Sequence, residues 1–155
     1  MTDYSAHIHW RRDAGADFAS NAYSRRHEWR FDGGAIVAGS SSPHVVPLPW
    51  SDPTAVDPEE AFIAAISSCH MLWFLAIAAE RGFVIDRYDD DAVGQMARIG
   101  PGKQAITHVV LRPCVDFAPG HAADDASVDA MHEAAHDRCF IANSVKTVIT
   151  VEPRR

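Results

Sequence analysis

Apolar and polar residues alternate through the first third of the chain. Ala6-His7-Ile8-His9-Trp10 alternates, Tyr23 to Phe31 alternates, and Ala35 to Ala38 is a short apolar run behind Asp32-Gly33-Gly34. A period of two is that of a strand with one buried face, and the Asp-Gly pair is a turn signal, so the segment predicts a β-meander. From Ser40 to Asp57 the pattern stops and Pro43, Pro47, Pro49 and Pro53 intervene. Proline cannot donate to a sheet ladder, so this predicts an extended loop that wraps over other structure.

The next segment, Ala61 to Ala79, is apolar almost without interruption. Asp57 as N-cap, Pro58 in the first turn and Glu60 completing a capping box predict a helix start, and Gly82 behind Glu80-Arg81 predicts its stop. Its length would cross a bilayer. Ser67, Ser68, Cys69 and His70 at its centre argue instead for a soluble core helix, since polar groups are costly in lipid. A helix apolar all round is buried on every side, which in a small domain points to cover from a second subunit.

Phe83 to Ile99 and Ala105 to Phe117 read as two strands joined at Gly100-Pro101-Gly102-Lys103. Asp124 to Cys139 reads as an amphipathic helix and Val145 to Val151 as a closing strand. The order is βββ-α-ββ-α-β, an α+β fold in one domain, residues 1–155, with the long helix at its centre.

Composition narrows the function. At 155 residues and 47% hydrophobic, the chain can build a core without disulfides or a structural metal. The net charge of −7 and the lack of a basic run argue against a nucleic-acid partner. Three widely spaced cysteines and an N-terminus without a basic, then apolar, leader predict a reducing cytoplasmic setting and leave the thiols free for chemistry.

Cys69 sits mid-helix with Ala65, Ile66, Leu72 and Trp73 as its neighbours three and four residues away, which makes an apolar surround. It is either a small core residue or a nucleophile that needs a cation from elsewhere. His70 projects about 100° away around the helix, so its expected role is a core side chain satisfied by a hydrogen bond. Cys139 ends the second helix and could meet Cys69 in space, whereas Cys114, after Pro113 in a strand pattern, reads as filler. His132-Glu133-Ala134-Ala135-His136 matches the zinc-hydrolase pattern H-E-x-x-H. A catalytic zinc needs a third protein ligand, and only Asp137, Cys139 and Glu152 follow, so the expected setting is the exposed face of a surface helix, with no metal.

The run from Asp57-Pro58-Glu59-Glu60 to Ser67-Ser68-Cys69-His70-Met71, together with Ala134 to Ser144 around Cys139, resembles the OsmC/Ohr family, which contains thiol-dependent organic hydroperoxide reductases. The likeness extends over nearly the whole chain. It implies the OsmC-like fold, an intertwined homodimer with long helices at its centre, and active sites at the subunit interface. It further implies Cys69 as the peroxidatic thiol, Cys139 as the resolving thiol, Glu59 as the motif glutamate, and an N-terminal-strand arginine holding the thiolate. Arg26 is the choice here, with Arg25 and Arg30 as rivals. His70 and the proline-rich loop depart from the better-known reductases.

Glu59 and Cys69 are about 15 Å apart along a continuous helix, so both can serve one site only if Glu59 comes from a partner subunit or the helix breaks. The implied cycle needs no cofactor. Cys69 attacks the peroxide, Cys139 closes a disulfide, and a dithiol, lipoyl-type in the family, reopens it. Ile66, Leu72 and Trp73 are the expected substrate wall, which favours organic hydroperoxides over hydrogen peroxide. Two other readings stand beside this one: a non-catalytic dimeric binding protein, and a zinc hydrolase on His132, Glu133 and His136.

Overall fold

A computed structural model describes all residues, Met1–Arg155. The chain divides into two compact units, Met1–Ala61 and Phe62–Arg155.

In the first unit, β1 (Ala6–His9), β2 (His27–Phe31) and β3 (Ile36–Gly39) form the predicted antiparallel meander in the order β1-β2-β3. The second strand is shorter than its alternation suggests. Before it, Asp17 to Ala22 makes a turn of its own, and Trp10, Phe18 and Tyr23 gather their rings. The proline-rich loop folds back on this meander. The Arg25 N–H donates to Trp50 O at 2.8 Å, the Asp52 N–H donates to Ser40 Oγ at 2.9 Å, and Val56 bridges Gly39.

Helix α1 (Pro58–Glu80) begins with the reciprocal capping box: the Glu60 N–H donates to Asp57 Oδ1 at 2.8 Å and the Asp57 N–H to Glu60 Oε2 at 3.1 Å. It ends at Gly82, whose φ of +80° is the left-handed value a C-terminal cap requires. Its mean hydropathy of 1.9 matches a membrane span by composition and length, but Ile66, His70, Phe74, Ile77 and Ala78 are packed by the chain's own strands and second helix.

Within the single chain one face of this helix stays open, the face for which the sequence points to cover from a second subunit. Ala65, Ser68, Leu72, Ala76 and Ala79 recur every three or four residues along one exposed stripe, with Leu72 63% exposed. The chain has too few elements to cover both faces of a helix this long.

The two predicted strands after α1 are four: β4 (Ile85–Asp90), β5 (Val93–Gly100), β6 (Lys103–Leu111) and β7 (Pro113–Phe117). The long hairpin bends at both levels together, so β4 pairs with β7 in one sheet while β5 and β6 pair in another, extended by β8 (Val148–Val151) running parallel to β6. Asp90 fixes the bend. Its carboxylate accepts the Arg112 N–H at 2.6 Å and the Ser67 hydroxyl at 2.5 Å, tying both strands to α1.

Gly94 in β5 lets α1 approach, since a Cβ there would fall 2.6 Å from Ile63 Cδ1. Helix α2 (Asp125–Arg138) starts on Asp124, which accepts the Ser127 N–H at 2.8 Å. The core has two parts. Phe74, Ile77 and Ala78 meet Met131 and Ala135 of α2 against β4 and β7, and Ile66 meets Val109 and Leu111 of β6.

Candidate active site

Cys69 is half-buried on α1, and Cys139 is 1% exposed where α2 ends. Both are free thiols, and they are neighbours although 70 residues separate them in sequence. Burial pushes the Cys139 thiol up to about 11; interaction with the Cys69 thiol adds to the rise, and the Ala142 N–H, which donates to Cys139 Sγ at 3.4 Å, opposes it. Cys139 is therefore a protonated, unreactive thiol at neutral pH, suited to follow rather than to lead.

The turn that carries Cys139 is stitched down. Asn143 Nδ2 donates to Asp137 O at 2.9 Å and Cys139 O at 3.0 Å, and Ser144 Oγ donates to Phe140 O at 2.7 Å. Chains of such local bonds fix the position of the thiol without regular structure.

Beside Cys69 lies a groove of about 500 Å³. Leu72, Trp73, Phe140 and Ile141 supply its apolar walls, and the small residues Ala65, Ser68 and Ala76 leave its space. Trp73 meets Phe140 edge-on at 5.4 Å, and the Arg138 guanidinium covers the Trp73 ring at 5.7 Å while pairing with Glu80.

Ile66, expected in this wall, is not there. It is fully buried against Val109 and Leu111, because four residues along a helix from His70 place it on the inward face. Phe140 and Ile141 take the place it was given. Their signal was their position directly after Cys139, which carries them to the same end of α2.

Helix α1 does not break between Glu59 and Cys69, so Glu59 stands about 15 Å from the thiol of its own chain, as the helical rise requires. The three candidate arginines all have partners within the first unit. Arg26 pairs with Asp52, Arg30 with Glu28 at 2.6 Å, and Arg25 donates to Asn21 Oδ1 at 2.7 Å while its guanidinium lies 3.7 Å over the Tyr23 ring.

The H-E-x-x-H segment falls on α2, but not as an exposed face. His132 is only 3% exposed, stacks on Phe74 at 4.2 Å, and shares a hydrogen bond of 3.0 Å between its Nδ1 and His70 Nε2. Burial holds His70 down to about 3, helped by the charge of His132, and His132 down to about 4, against the pull of Asp129. Both rings are neutral near pH 7, so His70 is a hydrogen-bonded core side chain as its helical position suggested. No three His, Cys, Asp or Glu side chains converge, which leaves a zinc hydrolase without its third ligand. Cys114 lies in β7 opposite Asp89.

Comparison with known proteins is decisive for the fold. The model of the OsmC-like protein family matches residues 51–154. The chain belongs to the OsmC-like family. An OsmC-like protein of unknown function from Vibrio cholerae has the same fold at a TM-score of 0.96 and 47% identity, over 99% of this chain and 100% of that one. Organic hydroperoxide resistance proteins share the fold more distantly. That of Elizabethkingia anophelis gives a TM-score of 0.68 at 16% identity, over 98% of this chain and 95% of that one, and OhrB of Bacillus subtilis gives 0.68 at 17%, over 97% and 98%. At such identities the likeness shows the fold alone. None of the curated proteins compared matches the chain.

Proposed function

We propose that this OsmC-like protein is a thiol peroxidase that reduces organic hydroperoxides to alcohols. The observation that carries the reading is the meeting of two free thiols beside an apolar groove, one of them held protonated by burial. The Cys69 sulfur attacks the distal peroxide oxygen. The O–O bond breaks, the alkoxide leaves and is protonated to the alcohol, and Cys69 becomes a sulfenic acid. The Cys139 sulfur then displaces hydroxide from that sulfenic acid, releasing water and forming a Cys69–Cys139 disulfide. A dithiol reductant, lipoyl-type by family resemblance, restores both thiols by exchange.

The groove favours a hydroperoxide with an alkyl or aryl tail, because burying that tail against Leu72, Trp73 and Phe140 gains about 25 cal/mol per Å². The cation for the thiolate is assigned from family resemblance to Arg26, which would exchange its Asp52 partner, and Glu59 would serve the Cys69 of a second copy. The exposed stripe of α1 includes groove residues, so a homodimer formed on it would also roof the groove. The cycle starts from two reduced thiols, which fits a cytoplasmic setting.

The test is intact mass after adding cumene hydroperoxide to reduced protein. A loss of two hydrogens with a Cys69–Cys139 link is expected, faster than with hydrogen peroxide. Cys139→Ser should consume one equivalent to form the Cys69 sulfenic acid and, with no resolving thiol, a second equivalent to reach the sulfinic acid. No reaction of the reduced protein with either peroxide would overturn the reading in favour of a binding protein.

A further inference from the structure

The thiol chemistry leaves the H-E-x-x-H segment of α2 unused. A second groove, of about 770 Å³ and sharing no residue with the first, is lined by Asp129, His132, Glu133, His136, Asp137 and Arg155 together with an apolar edge from β8. Two buried nitrogens of residues that line this groove lack any partner: Nε2 of His132, a residue only 3% exposed, and Nδ1 of His136. Buried polar atoms are rarely left so, and an unpaired one calls for a ligand or a water.

We propose that His132 Nε2 and His136 Nδ1 bind one late first-row divalent cation, of the Zn²⁺, Ni²⁺ or Cu²⁺ class. Four residues apart on α2, the two rings share a face one turn from each other. The other nitrogen of His132 is already held: its Nδ1 shares a hydrogen bond of 3.0 Å with His70 Nε2, and the tautomer in which Nδ1–H is the donor leaves Nε2 with its lone pair free. Ligating histidines are oriented in this way, by an outer partner on the nitrogen that does not bind. His70 thus gains a reason to be polar in an otherwise apolar helix.

The charge around the groove favours a cation. Arg155 is engaged by Asp125 and Asp129, while Glu133 and Asp137 make no ion pair and leave the groove acidic. Imidazole donors select the late transition metals over Mg²⁺ and Ca²⁺. Since no third side chain converges, water completes the coordination, and the site binds a metal without the three protein ligands of a catalytic zinc.

The test uses full-length protein without a polyhistidine tag, with Cys69, Cys114 and Cys139 each replaced by Ser so that no thiol binds metal. After dialysis against a chelator it is titrated calorimetrically with ZnCl₂ and, separately, with CoCl₂ followed by visible absorption. One equivalent per chain is expected, with a cobalt spectrum of nitrogen and oxygen ligation. His136→Gln, at a partly exposed position, should weaken binding at least tenfold while leaving the far-ultraviolet dichroism unchanged, and His70→Gln should weaken it about tenfold through loss of the outer partner. Absence of stoichiometric binding, or equal affinity in His136→Gln, would overturn the proposal and leave an ordered water as the partner of the two nitrogens.

Discussion

Phe140 shows how one residue acquires a role from its neighbour. It is 66% exposed, an unfavourable place for a phenyl ring unless something covers it, and it stands at the mouth of the thiol groove against Trp73. Phe140→Ala removes groove wall without opening the core. The KM for an aryl hydroperoxide should rise three- to tenfold, roughly 1 kcal/mol of lost tail contact, with the rate for hydrogen peroxide unchanged. Steady-state kinetics with both peroxides checks this. Cys139 was legible as a candidate because it ends a helix before a small-polar turn, whereas Ile66 was misplaced. In an all-apolar helix the pattern does not say which face turns inward, and only packing against Val109 and Leu111 decides it.

At the scale of elements, the bend of the long hairpin rests on Asp90. One carboxylate satisfies a backbone N–H at the β6–β7 junction and a hydroxyl on α1. Hydrogen bonds to a charged group contribute about 1.5–3 kcal/mol each, and Asp90→Ala leaves a donor without its partner. The variant should lose about 2–3 kcal/mol, a fall in Tm of roughly 5–10 °C for a chain of this length, read by thermal denaturation. The bend was not legible in the sequence. Residues 83–99 and 105–117 carry continuous strand character, and the division into two sheets is set by which half of each strand faces which helix.

At the scale of the molecule, the exposed stripe Ala65-Ser68-Leu72-Ala76-Ala79 is the surface on which the proposed homodimer would form. Leu72→Glu should place a charge in that interface. A shift from dimer to monomer in light scattering, with loss of peroxide consumption, is expected; an unchanged dimer would remove this stripe from the interface.

Alkaline stability tests the buried thiol. The folded pKa of Cys139, near 11, is raised above its unfolded value near 9, so its contribution is fully present below pH 9 and is lost as pH rises towards 11, where only the unfolded state has long been ionised. Tyr88, buried with an unpartnered hydroxyl and also pushed up by burial, adds to the same loss above pH 10. Urea denaturation from pH 8 to 11 should show stability falling by about 2–3 kcal/mol from Cys139 and about 1 kcal/mol more from Tyr88, and Cys139→Ser should flatten the portion between 9 and 10.

The sequence by itself determined the meander, both helices and the caps of the first, the closing strand and the two thiols worth bringing together, because these rest on local periodicity, turn chemistry and capping, which act within a few residues. The tertiary structure alone decided that Cys69 and Cys139 are neighbours, that Phe140 and not Ile66 walls the groove, and that His132 turns inward to His70. Those depend on how two helices are rotated about their axes against a bent sheet, and rotation is set by the close packing of side chains distant in sequence.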